Sequence, residues 1–147
     1  MEFNIPSALK REHEELHKEL TKATKEGGST GEAARSVARI LHPHFVKEEE
    51  YALPPLGLLT HLTKGETTPD MKSVLKMTDK LKRALPQMLE EHKAIVGALE
   101  KLADAAREQG KTEYITFSEK LTLHAQTEEQ ILYPAALLIG EYVKMRF

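Results

Sequence analysis

At 147 residues, 30% of them charged and 40% hydrophobic, the chain has the size of one domain with a full core. A net charge of −2 excludes the basic footprint of a nucleic-acid binder. The lack of cysteine excludes thiolate zinc sites, iron–sulfur clusters and disulfides. Met1 leads into a polar, charged helix with no signal-peptide core, and no apolar run is long enough to span a bilayer. A cytoplasmic protein without a membrane partner is therefore the expectation.

In chain order, Ser7 reads as the N-cap of a first helix whose stripe is Leu9, His13, Leu16 and Leu20. The turn-forming cluster from Glu26 to Gly31 ends it near Lys25. A second helix follows from about Glu32 to Leu53, with Val37, Leu41, His44, Glu48 and Tyr51 or Ala52 facing inward. Pro43 predicts a kink beside His44, and Pro54-Pro55 ends or bends the helix. Residues 56–62 are apolar enough to close one end of a bundle. After the loop at 63–68, Thr68-Pro69 opens a helix to about 84, which Pro86 kinks or restarts. The main third helix turns Met88, His92, Ile95 or Val96, Leu99 and Leu102 inward and stops at Gly110. Thr112 reads as the cap of a fourth helix, bent at Pro134. Amphipathic helices joined by short turns favour an all-α antiparallel four-helix bundle.

Residues 124–134 carry the chemistry. His124 and Glu128 are four apart, which stacks them on one helix face. Phe117, Leu121, Ile131 and Ala135 extend that stripe, so a histidine and a carboxylate occupy core positions. A lone buried carboxylate is costly, and a metal ion is its commonest partner beside an imidazole. The pattern recurs at residues 44–54, where His44, Glu48 and Glu49 match His124, Glu128 and Glu129, and Leu53-Pro54 matches Tyr133-Pro134. Glu12-His13 precedes the first copy as Glu91-His92 precedes the second. The chain is thus an internal two-fold pseudo-repeat, with helix pairs at 7–62 and 69–145 inside one domain spanning 1–147.

Four imidazoles (His13, His44, His92 and His124) and two carboxylates (Glu48 and Glu128) suit two ions sharing carboxylate bridges better than one ion. Nitrogen and oxygen donors favour iron, with manganese or zinc as alternatives. A bridging oxide or hydroxide balances the remaining charge. Open iron positions admit oxygen, peroxide or nitric oxide. His17, four residues after His13, is a further candidate ligand. His42 points away from His44 and is read as surface, as are Glu49, Glu50, Gln130 and His61. Tyr51 and Tyr133 are read as core residues or hydrogen-bond donors around the ligands.

These motifs, Glu12-His13, HFVKEEEYALP at 44–54, EEHKAI at 91–96 and HAQTEEQILYP at 124–134, resemble the hemerythrin-like HHE cation-binding domains over nearly the whole chain. The resemblance implies an up-and-down bundle around a non-haem di-iron centre, bridged here by Glu48 and Glu128. Oxygen-carrying hemerythrins have His-x-x-x-His on the third helix, where this chain has Val96 after His92. They also carry Asp five residues after the fourth-helix histidine, where this chain has Glu128 at four. The expectation is binding or sensing of oxygen, peroxide or nitric oxide. Enzymatic turnover of peroxide or nitric oxide, or an iron-responsive or storage role, are the alternatives.

Overall fold

The computed structural model describes residues 3–147; Met1 and Glu2 lie outside the described residues. The helices are α1 (Ser7–Thr24), α2 (Gly28–Lys47), the short α3 (Leu59–Thr63), α4 (Leu75–Glu108), α5 (Thr112–Thr127) and α6 (Tyr133–Arg146). Two π-helical turns, Glu48–Ala52 and Glu128–Leu132, follow α2 and α5, and 3-10 turns cover Pro54–Leu58 and Pro69–Val74. No strand occurs among the described residues. None of the helices is long and apolar enough to cross a membrane.

The four rods pack as a ring: α1 on α2, α2 on α4, α4 on α5, and α5 back on α1. Two apolar clusters fill the interior. One gathers Leu16, Leu20, Val37, Leu41, Ile95, Leu99 and Leu121. The other gathers Tyr51, Leu53, Leu56, Met88, Tyr133 and Ile139. Their order along the chain fixes the direction of each rod. α2 runs from the first cluster through His44 to the second, and α4 runs from the second through His92 to the first. α5 and α6 repeat the direction of α2, and α1 that of α4, so the bundle is antiparallel and up-and-down. The four histidines form a polar layer between two oily ones.

Several local expectations give way. Helix α4 is continuous through Pro86, which lies inside it. The helix expected from Pro69 to about residue 84 is not a separate element: Pro69–Val74 is a 3-10 turn that leads directly into α4. Ser7 and Thr112 are first residues of their helices rather than caps, behind Pro6 and Lys111, and neither end has a side-chain cap. α2 begins at Gly28, earlier than Glu32. Ile131 is exposed, not part of the buried stripe. Gly110, at a φ of 68°, takes the left-handed conformation that ends α4.

Candidate metal centre

His13, His44, His92, His124, Glu48 and Glu128 are all buried at the same level of the bundle. They form two sets whose donor atoms lie within 4.8 Å of one another: His44, Glu48, His92 and Glu128, and His13, His124 and Glu128. Either set has the donor types and closeness to hold a metal ion. The carboxylates face both ways. Glu48 turns Oε2 toward His44 Nε2 at 3.5 Å and Oε1 toward His13 Nε2 at 3.6 Å. Glu128 turns Oε1 toward His92 Nε2 at 3.2 Å and Oε2 toward His124 Nε2 at 3.2 Å and His13 Nε2 at 3.6 Å.

A ring of outer carboxylates orients the imidazoles. His44 Nδ1–H donates to Glu91 at 2.7 Å, and His92 Nδ1–H to Glu129 at 2.9 Å. His124 Nδ1–H donates to Glu12, and His13 Nδ1–H reaches Glu49 at a longer 3.5 Å. The pairs obey the repeat: His13–Glu49 corresponds to His92–Glu129, and His124–Glu12 to His44–Glu91. With Nδ1 acting as the donor, each Nε2 lone pair points inward. A carboxylate on the outer nitrogen fixes this tautomer and makes the inner nitrogen more basic.

The inner atoms test whether metal ions fit. His13 Nε2, His124 Nε2, Glu48 Oε1 and Glu128 Oε2 are buried without a hydrogen-bond partner, and all four belong to one side of the centre. Each such atom costs about 1–3 kcal/mol when unsatisfied. On the other side, His44 Nε2 and His92 Nε2 are 2.9 Å apart. Two inward lone pairs at that distance repel unless a proton or a cation lies between them. The donor sets therefore fit metal ions on both sides.

Tyr133 breaks the symmetry. Its hydroxyl donates to Glu48 Oε2 and lies 3.3 Å from His44 Nε2 and 3.2 Å from His92 Nε2. Leu53 holds the equivalent place in the first half. Tyr51 is buried but points to Met88 Sδ, 3.7 Å away, and takes no part in the centre.

The protein's field prepares these groups. Burial and the negative charge of Glu128 push the Glu48 carboxyl up. Burial pushes Glu128 the same way, but contacts from Glu48, His124, His13 and His92 outweigh it and hold Glu128 well below the usual carboxylate range. Burial disfavours the His124 cation, yet the Glu128 carboxylate, with Glu48 and Glu12 behind it, raises the imidazole to about 9. His13 and His44 are raised for the same reasons, burial again opposing the carboxylates around them. Burial and the charge of Glu48 push the Tyr133 hydroxyl far up, so it stays a donor.

His17 is brought to neither set. It is exposed on α1, with its ring 5.6 Å from that of His42, which is also exposed. His61 pairs with Glu66 away from the centre. The reading of Glu49 as solvated face is incomplete, because its carboxylate folds back to His13. The roles of Glu12, Glu91 and Glu129 escape a reading of the sequence alone. The available signal is position: a glutamate directly before His13 and His92, and directly after Glu48 and Glu128.

In comparison with known families, residues 4–136 match the Hemerythrin family model, described as the hemerythrin HHE cation binding domain. No curated protein and no solved structure matched.

Proposed function

The chain belongs to the hemerythrin HHE cation-binding domain family, and from that membership we propose a non-haem di-iron protein that binds or senses oxygen, peroxide or nitric oxide. The observation that carries this reading is the arrangement of Glu48 and Glu128, each with one oxygen toward each histidine pair. His44 and His92 would hold one ion and His13 and His124 the other, with Glu48 and Glu128 the carboxylates available to both. Iron, if bound there, would supply reversible one-electron chemistry toward a small ligand. The chain's own residues set the conditions. Glu12, Glu49, Glu91 and Glu129 keep the imidazoles aimed inward, and the apolar layers above and below exclude bulk water.

Access favours the His13–His124 side. A cleft of about 310 Å³ between α1 and α2 reaches His13, and one of about 190 Å³ between α1 and α5 reaches His124. A diatomic ligand needs only a small opening from either.

One observation favours a second reading, turnover of peroxide or nitric oxide. The Tyr133 hydroxyl stands among the donors, where it can hold a proton against a reacting oxygen. Metal analysis of the purified protein, followed by absorption spectra on cycling between argon and oxygen, tests the binding reading. About two irons per chain and a reversible spectral change support it. Rapid oxygen evolution from added peroxide supports turnover instead. A protein without iron that shows neither response contradicts both.

A further inference from the structure

A second meeting of imidazoles lies on the surface. His17 on α1 and His42 on α2 face each other across the α1–α2 groove, with ring centroids 5.6 Å apart and 44° between the planes. Neither ring forms a hydrogen bond or an ion pair among the described residues. Both line the 310 Å³ cleft whose wall includes His13, Glu14 and Glu49.

Two imidazoles on one ion, each with nitrogen about 2.1 Å from the metal, place their ring centroids about 5 Å apart. The observed separation is within a small side-chain adjustment of that. Imidazole nitrogens suit divalent zinc, nickel or copper, not the oxygen-seeking calcium or magnesium. We propose that His17 and His42 form a separate two-imidazole surface site for a divalent transition-metal ion, completed by water, at the mouth of the cleft that reaches His13. The site is open to solvent, so it binds more weakly than the buried centre and exchanges faster. An ion held there shares a cleft with His13, one of the inward-facing donors. The pair joins α1 to α2 across the groove, so the two exposed histidines serve one site rather than two unrelated surface positions.

The test is a count of zinc ions bound to metal-free protein at equilibrium, by dialysis and elemental analysis. Wild type is compared with the His17→Ala/His42→Ala double variant and with His61→Ala, which removes a half-buried histidine elsewhere. Both positions in the double variant are exposed, and its melting curve without metal checks that folding is intact. The expected result is one zinc fewer in the double variant and no change in His61→Ala. Equal counts in wild type and the double variant overturn the proposal, as does an equal loss in His61→Ala. The ions remaining in the double variant report on the buried centre separately, so failure of the di-metal reading and failure of this one give different counts.

Discussion

The Tyr133 hydroxyl donates to Glu48, one of the two carboxylates shared between the histidine pairs, across the middle of the bundle. Among the described residues no hydroxyl of the first half does the same for Glu128, because the residue matching Tyr133 is Leu53. The centre is therefore symmetric in its imidazoles and asymmetric in its proton donors.

Tyr133→Phe removes that donor and leaves the ring in place. In the metal-free protein it is expected to lower unfolding free energy by about 1–2 kcal/mol, since a buried carboxyl oxygen loses its partner. Denaturant titration measures this. If peroxide is turned over, the same variant loses oxygen evolution while keeping its iron content; unchanged turnover would remove Tyr133 from the chemistry.

The outer carboxylates differ in grip. Glu91 holds His44 at 2.7 Å, whereas Glu49 stands 3.5 Å from His13. Glu91→Gln is expected to weaken metal binding about 10–100-fold, and Glu49→Gln by clearly less. Competition with a chromogenic chelator ranks them, and equal losses would show that orientation at Nδ1 is not what these residues provide.

The metal-free protein is expected to lose stability as pH rises from about 6.5 to 9. His124 ordinarily titrates at 6.5 and is raised to about 9 in the fold. The native state therefore holds a proton that the unfolded state has lost in that window, and its contribution disappears as pH climbs through it. The raised His13, His44 and Glu48 act in the same direction. Glu128, held low, contributes oppositely, and its contribution is lost only on acidification below the ordinary carboxylate range. Metal affinity runs the other way, strengthening with pH as these protons are displaced. Melting temperatures at several pH values, with and without metal, check both signs; a metal-free melting point that rises over the window would contradict the electrostatics described.

Chelation tests how far ions hold the bundle together. Metal present at a thousand times its dissociation constant adds about 4 kcal/mol, or about 10 °C in melting temperature for a domain of this size. A drop of that order on metal removal is expected, because four unpartnered donor atoms are then left inside. An unchanged melting point would reject an iron-dependent fold.

Much of this was legible from residue spacing. The stripe of His13, Leu16 and Leu20 on one helix, and the paired His-x-x-x-Glu motifs on two others, identify the bundle and its polar layer because periodicity and burial coincide there. The π turns were not legible. Four-residue spacing reads as ordinary helix, and only the burial of both Tyr51 and Ala52, where one was expected, reflects the wider turn. His17 carried the right residue type at the right spacing from His13, but the buried stripe of His13, Leu16 and Leu20 is centred on the other side of His13, which leaves His17 at the exposed edge of the α1–α2 groove. Glu12, Glu49, Glu91 and Glu129 look like solvent-facing charges in sequence, and all but the more enclosed Glu91 are largely so in the fold. Their function depends on a carboxylate folding back to an imidazole on a neighbouring rod, a contact between distant segments that helical periodicity does not encode.

Anomalous diffraction at the iron edge from crystals of the iron-loaded protein tests the central claim most directly. Two peaks about 3.5–4 Å apart, one beside His44 and His92 and one beside His13 and His124, with Glu48 and Glu128 spanning them, are the predicted result. A single peak, or peaks that leave either carboxylate uninvolved, would contradict it.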